Sequence, residues 1–310
     1  MGAAAIEKMS GDNDAETSSY CASCGKAEID DIKLMPCDDC DLVRYCGDEC
    51  REDYKSEHAD DCTSRAAELR DELLFKQPES NHWGDCPICC LPLPIDISKS
   101  SMWTCCSKVI CKGCIYANGI REIEARLQHT CPFCRESTNR TEEEMDKQMM
   151  KRIEMNDPAA LRQEGAEKYS EGDYQSAFEY WSKAAELGDA QAHGKLAWLY
   201  DEGQGVEKDE GKQIHHFEEA AIGGHPIARR VLGCEEMIKG NAERAVKHWI
   251  IAATQGEDDS IKKLLEAFKK GYVEKEELAA ALRAHKAAVD ATKSPQREAA
   301  NEFFRKNNTR

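Results

Sequence analysis

Sixteen of the seventeen cysteines lie between Cys21 and Cys134, mostly in pairs separated by two residues. A Cys-x-x-Cys turn brings two thiolates to the same metal ion, and thiolates of this kind are typical zinc ligands. A secreted disulfide framework is the alternative, but it would need an export signal, and the N-terminal residues contain no basic and then apolar segment. The cysteines therefore predict a zinc protein of an intracellular, reducing compartment.

The first cysteine cluster offers eight candidate ligands within residues 21–62, which is enough for two tetrahedral zinc sites. Two of its spacings are four residues long and suit one face of a helix. A segment this short cannot form an adequate hydrophobic core, so metal must supply much of its folding free energy. The candidate ligands are Cys21, Cys24, Cys37, Cys40, Cys46, Cys50, His58 and Cys62.

The complete spacing of this cluster, with the string CDLVRYC at residues 40–46, resembles a MYND zinc finger. All eight ligand positions of that family are present. The resemblance implies binding of short, often proline-containing peptides rather than catalysis. It also implies an interleaved pairing, which spacing alone does not prove: Cys21, Cys24, Cys46 and Cys50 on one zinc, and Cys37, Cys40, His58 and Cys62 on the other.

The second cluster contains three Cys-x-x-Cys pairs with adjacent Cys105 and Cys106 among them. The string CSKVIC at residues 106–111 resembles a RING finger, in which a histidine ligand usually stands where this chain has Lys108. A protonated lysine has no lone pair for a metal, so another residue must supply the ligand. Cys105 is the nearest candidate, and Cys90 is the alternative.

The resemblance implies an all-cysteine RING variant with two zinc ions, which brings the expected total to four. One zinc would use the first two Cys-x-x-Cys pairs, and the other would use the adjacent cysteines with the last pair. The two implied ligand sets are Cys86, Cys89, Cys111 and Cys114, and Cys105, Cys106, Cys131 and Cys134.

RING fingers recruit ubiquitin-conjugating enzymes, and three positions here match the docking surface of that family. Ile88 lies in the first Cys-x-x-Cys turn of the cluster, which we call its first knuckle, and Pro132 lies in the last knuckle; both could offer apolar contacts. Arg135 could donate hydrogen bonds to the tethered ubiquitin. The aromatic residue that many members carry between the last two cysteine pairs is absent, and Tyr116 is the only aromatic there. The resemblance implies a RING-type E3 ubiquitin ligase. The alternative is a non-catalytic scaffold or adaptor.

The C-terminal half contains an internal repeat with helical spacing. Trp181, Phe217 and Trp249 are each followed by two alanines and then a glycine, at the same intervals, which places the aromatic and the alanines on one helix face. With the loop GQGVEKD at residues 203–209, this pattern resembles the Sel1-like repeat, a relative of the tetratricopeptide repeat, over roughly residues 160–272. It implies stacked helical hairpins, with a generic helical bundle as the alternative.

These features predict small zinc-stabilised α+β modules followed by an all-α helical-hairpin repeat solenoid. Thr141 and Glu144 form a capping-box signature that begins a helix after the second cluster. The predicted segments are a disordered tail (1–19), a MYND-type finger (20–62), a helical linker (63–81), a RING-type finger (82–140), a linker helix (141–157), Sel1-like repeats (158–290) and a C-terminal helix or tail (291–310).

The formal net charge of the 310 residues is −17, which disfavours nucleic acid as a partner because phosphate backbones require cations. No apolar stretch approaches the roughly 18 residues of a membrane span, so no membrane association is expected. The expected partners are proteins: a ubiquitin-conjugating enzyme, peptide motifs for the MYND finger and a substrate on the repeats. No basic cluster resembles a nuclear import signal, which favours the cytoplasm over the nucleus.

Overall fold

The computed structural model describes residues 20–29, 32–139 and 141–307, so the tail predicted at residues 1–19 lies outside the described part. The chain divides into two compact units, one extending to Leu73 and the other beginning at Leu74. None of the helices in the described part is long and apolar enough to cross a membrane.

The first unit contains a two-stranded antiparallel sheet and most of a long helix. Strand β1 (Met35–Pro36) pairs with β2 (Arg44–Tyr45), and helix α1 (Asp48–Phe75) follows. The helical linker predicted at residues 63–81 is therefore helical as far as Phe75, where it forms the last part of a 28-residue helix. Apart from cysteines, Leu34 and Tyr45 are the buried hydrophobic residues described in this unit, which is too little for a core without metal.

In the second unit, the first module is cysteine-rich and comprises residues 82–139. A short 3₁₀ turn (Ile97–Lys99) leads into β3 (Ser100–Trp103), which pairs antiparallel with β4 (Lys108–Cys111), and helix α2 (Lys112–Glu124) follows directly. Leu93 and Ile110 are almost fully buried among the cysteines, so the small core of this module surrounds the ligand candidates.

Helices follow one another through the rest of the chain. The capping box of Thr141 and Glu144 begins α3, and consecutive helices then pack as hairpins, which confirms the predicted solenoid. The helices are α3 (Glu142–Glu154), α4 (Pro158–Glu171), α5 (Tyr174–Glu186), α6 (Ala190–Glu202), α7 (Glu210–Ile222), α8 (Pro226–Ile238), α9 (Ala242–Thr254), α10 (Asp258–Lys269), α11 (Lys275–Ala291) and α12 (Pro295–Asn307).

The tryptophans of the repeat are core residues that pack against glycines of the preceding helix. A Cβ atom at Gly165 would lie 2.5 Å from the Trp181 indole, and Gly233 stands in the same relation to Trp249. Each indole N–H also donates to a backbone carbonyl, at 3.1 Å for Trp181 and 3.3 Å for Trp249. The glycines therefore let two helices approach closely enough to enclose a large aromatic side chain.

Residues 74–81, which we call the connecting segment, lie against the repeats before the module begins. Leu74 is 1% exposed and packs with side chains of α6, α7 and α8. Further along, the backbone N–H of His82 donates to the Gly224 carbonyl at 3.0 Å, and the His82 ring stacks on His225 with centroids 4.3 Å apart. The segment thus fixes the start of the module to successive repeats.

The last helix, α12, returns to the module and packs against α2. The ring centroids of Tyr116 and Phe303 are 5.0 Å apart, and Lys112 Nζ lies 5.0 Å from the centre of the Phe304 ring. The described residues beyond 291 are therefore largely a packed helix, and this helix belongs structurally to the cysteine-rich module.

Candidate metal centres

Two groups of four ligand atoms form in the first unit, with the interleaved pairing that the MYND resemblance implied. His58 and Cys62 lie one turn apart on α1, and His58 Nε2 is 3.1 Å from Cys40 Sγ. Cys46 Sγ is 3.6 Å from the sulfur atoms of both Cys24 and Cys50. The groups are Cys21, Cys24, Cys46 and Cys50, and Cys37, Cys40, His58 and Cys62.

Two more groups form in the cysteine-rich module. Strand β4 and the start of α2 carry Cys111 and Cys114, and Cys105 completes the other group in place of the missing histidine. Cys90 is exposed and is in neither group. The groups are Cys86, Cys89, Cys111 and Cys114, and Cys105, Cys106, Cys131 and Cys134.

The spacing of the sulfur atoms fits zinc. Four sulfurs at about 2.3 Å from a tetrahedral zinc ion lie about 3.8 Å from one another. The separations here include 3.9 Å for Cys86 and Cys114, and 3.4 Å for Cys105 and Cys134. All four positions of each group belong to the protein, so a bound zinc would have no open position for water. The four centres are therefore structural rather than catalytic.

The protonation of the thiols explains why a cation is needed. Although burial opposes ionisation, hydrogen bonds from the backbone of Cys24 and Cys46 lower the pKa of Cys21 to about 6. Hydrogen bonding with Cys24 and Cys50 raises the pKa of Cys46 to about 12. Without metal, Cys21 therefore ionises readily while Cys46 stays protonated. Zinc must displace those protons, so its binding weakens as the pH falls.

A buried carboxylate fastens the last knuckle of the module to α2. Glu122 is 2% exposed and accepts hydrogen bonds from Thr130 Oγ1 (2.7 Å), the Thr130 N–H (3.1 Å) and Asn118 Nδ2 (2.8 Å), and it contacts His129 Nδ1 at 3.1 Å. Burial opposes its ionisation, but the bonds from Thr130 and His129 lower its pKa to about 2. Sequence reasoning missed this residue, because an acid within a short helix normally faces solvent.

The residues predicted to contact a conjugating enzyme differ in their exposure. Ile88 is 40% exposed on the first knuckle, whereas Pro132 is buried and its neighbour Phe133 is 43% exposed. Arg135 is exposed, and its Nη1 atom donates to Asn118 Oδ1 at 2.8 Å. The apolar surface of the last knuckle is therefore Phe133, which the sequence analysis did not single out.

Comparisons with known families identify two of the three predicted kinds of module, the MYND finger and the Sel1 repeat. Residues 21–62 match the profile of the MYND finger, and residues 160–189, 190–225 and 234–257 match the Sel1 repeat. Both are protein-interaction modules. Neither match includes the cysteine-rich module at residues 82–139. No curated protein sequence matches the chain. The chain is thus a zinc-binding protein that contains protein-interaction modules.

Two solved structures are similar to part of the chain. One is a Sel1 repeat protein from Oxalobacter formigenes, with 26% identity, 48% of this chain covered and a TM-score of 0.40. The other is c5321, a protective antigen present in uropathogenic Escherichia coli strains that displays an SLR fold, with 22% identity, 52% of this chain covered and a TM-score of 0.37. The chain spans 63% of the length of the first and 36% of the second.

Proposed function

We propose that the cysteine-rich module is a RING-type finger and that the protein is a RING-type E3 ubiquitin ligase. The observation that carries this proposal is the interleaved arrangement of two four-cysteine groups in which both knuckles expose an apolar residue. Ile88 is exposed beside one group and Phe133 beside the other. Exposed apolar side chains on a small, metal-held surface are suited to docking another protein.

The proposed activity needs no nucleophile from this chain. A RING finger accelerates transfer by holding the conjugating enzyme and its ubiquitin thioester in a reactive geometry, so its contribution is positioning. Ile88 and Phe133 would contact the enzyme. Arg135 has five N–H donors, of which Nη1 is engaged by Asn118, so others remain for carbonyl groups of the tethered ubiquitin. Asn118 would hold the guanidinium in place before ubiquitin arrives.

The MYND finger and the Sel1 repeats would select the substrate protein that is ubiquitinated. The MYND finger would bind short peptide motifs, and the Sel1 repeats would hold a substrate near the RING-type finger. We place this activity inside the cell, because the sixteen zinc ligands include fifteen cysteines that must stay reduced. We place it in the cytoplasm rather than the nucleus, because no basic cluster in the sequence resembles a nuclear import signal. Fractionation of cells that express the tagged protein tests the location, and recovery in the nuclear fraction would contradict it.

A discharge assay with zinc-loaded protein and a panel of charged conjugating enzymes tests the function. Ile88→Ala and Phe133→Ala should weaken docking while all four zinc ions stay bound, because neither residue is a ligand. Ile97→Ala is the matched control, since Ile97 is an exposed isoleucine of the same module outside both knuckles. It should behave as wild type.

Arg135→Ala should leave docking intact and slow discharge. The loss of a charge-assisted hydrogen bond costs about 1.5 to 3 kcal/mol. A bond made only in the reactive complex would then change the rate by roughly 10- to 150-fold. If wild-type protein with four zinc ions accelerates discharge from no enzyme in a broad panel, the ligase assignment is wrong. The function would then be that of a non-catalytic scaffold.

A further inference from the structure

Helix α12 carries an arginine whose side chain is buried in the cysteine-rich module. Arg297 is 6% exposed. Its Nη1 atom donates to the carbonyls of Pro92 and Thr292, both at 2.7 Å. Its Nη2 atom donates to the Leu91 carbonyl at 3.1 Å and to Cys89 Sγ at 3.4 Å. The guanidinium therefore donates hydrogen bonds to the first knuckle of the module and the residues just after it, including one of the ligand sulfurs.

The charge on Arg297 has no carboxylate partner in the part of the chain that the structure describes. A buried cation is costly unless hydrogen-bond acceptors and nearby negative charge compensate it. Cys89 Sγ is the one group among its hydrogen-bond partners that can become an anion. A zinc ion with four thiolates has a net charge of −2, so the loaded centre supplies the missing negative charge next to the guanidinium.

We propose that Arg297 is an outer-sphere partner of the zinc centre formed by Cys86, Cys89, Cys111 and Cys114. Zinc binding at that centre and docking of α12 then stabilise each other. Hydrogen bonds to ligand atoms from such partners orient the ligands and tune metal affinity. This assignment does not depend on ubiquitin transfer, and it connects the metal centre to a helix that follows all the repeats.

Gly113 makes this approach possible. It lies between two ligands of the same centre, Cys111 and Cys114. A Cβ atom there would lie 2.7 Å from Arg297 Cγ and 3.0 Å from Arg297 Cα. The Gly113 carbonyl also accepts a hydrogen bond from Gln296 Nε2 at 3.1 Å. Any larger residue at position 113 would push α12 away from the knuckle.

The test is the rate at which the full-length, zinc-loaded protein releases zinc to a chromogenic chelator. In Arg297→Met, one of the four zinc ions should leave roughly 10- to 100-fold faster than in wild type, and the other three at unchanged rates. Arg305→Met is the matched control, because it makes the same change at an exposed position of α12. It should release all four ions as wild type does.

Two further variants keep the test decisive if Arg297→Met folds poorly. Arg297→Lys keeps the charge but cannot form all four hydrogen bonds, so it should give an intermediate rate for the same single ion. Gly113→Ala retains the arginine but displaces it, and it should also release one ion faster. The proposal would be overturned if the Arg297→Met protein bound four zinc ions at the start and released all four at wild-type rates.

The reciprocal effect provides an independent readout. Removal of that zinc ion should increase amide hydrogen exchange in α12 and in residues 86–93, while the exchange in α5 to α9 stays as in wild type. Unchanged protection of α12 after loss of the ion would equally overturn the proposal.

Discussion

The guanidinium of Arg229 donates to the backbone carbonyls of Leu74 and Lys76, which lie where α1 ends. Arg229 is 0% exposed, and burial lowers its pKa to about 10. The last carbonyls of a helix lack intrahelical partners and carry the negative end of its dipole. Among the described residues, backbone carbonyls are therefore the groups that compensate this buried cation, and they fix the connecting segment to α8.

We expect Arg229→Met to lower the free energy of unfolding of the second unit by about 2 to 4 kcal/mol. The change leaves two carbonyls without their donors, and each buried unsatisfied group costs about 1 to 3 kcal/mol. Denaturant unfolding followed by circular dichroism measures the effect. Arg283→Met, at an exposed position of α11, is the control and should change little. Equal stability of the two variants would contradict the structural role of Arg229.

Glu122→Gln should destabilise the module by about 1.5 to 3 kcal/mol, because an amide cannot accept from all the donors that surround this carboxylate. Its lowered pKa means that the contribution is fully present above the ordinary glutamate pKa, about 4.3, and is lost as the pH falls towards about 2. Thermal unfolding at pH 7 measures the loss. The control is Glu124→Gln at an exposed position of α2, and a similar loss there would refute the prediction.

The burial of His225 leads us to expect that the free energy of unfolding also depends on pH in a less acidic range. Its Nδ1 atom accepts from the Ala228 N–H at 3.2 Å and caps α8, and burial lowers its pKa to about 4. The unfolded imidazole takes up a proton near pH 6.5, so stability should fall between about pH 6.5 and 4 by about 1.4 kcal/mol per pH unit. Buried His82 and the nearby Lys195 ammonium also disfavour a charge here.

His225→Asn separates this effect from zinc loss, which occurs in both proteins as the pH falls. Asparagine is a good N-cap residue and does not titrate in this range, so the variant should show a shallower pH dependence of unfolding. His215→Asn, at an exposed position of α7, should keep the wild-type slope. Parallel slopes for wild type and His225→Asn would show that His225 does not contribute.

Two glycine substitutions should change stability in opposite directions. Gly165→Ala places a Cβ atom 2.5 Å from the Trp181 indole, and overpacking of this kind costs about 1 to 3 kcal/mol. A Cβ atom at Gly119, in the interior of α2, would have no atom within 4 Å beyond its chain neighbours and the local helix backbone. Because alanine has the better helix propensity, Gly119→Ala should raise the free energy of unfolding by about 0.5 to 1 kcal/mol. Melting temperatures of the two variants check the prediction, and a shift in the same direction would contradict it.

Elemental analysis should find four zinc ions per chain. Cys111→Ser removes a ligand and should reduce the count to three or fewer, because the damaged centre also supports the module. Cys90→Ser changes a cysteine outside the four groups and should retain all four ions. Two or fewer ions in carefully prepared wild-type protein would contradict the assignment of the centres.

The sequence predicted features whose cause is local. The spacings of the cysteines identified candidate ligands, and the lack of a lone pair on Lys108 indicated Cys105. The repeat pattern predicted helical hairpins because aromatic and small residues recur at helical intervals. Arg229 and Arg297 could not be recognised in this way. A buried arginine most of whose partners lie more than 150 positions away has the same local sequence as one that faces solvent.

The packing of α12 on α2 also has a consequence for how the protein is made. Translation proceeds from the N-terminus, so the ligands of the cysteine-rich module leave the ribosome long before residues 295–307 do. During that interval the face of α2 that includes Gly113 has no helix to cover it. We therefore expect a nascent chain to bind zinc early but to hold it less firmly until α12 has been synthesised. We expect products truncated before α12 to be the preferred targets of cellular quality control.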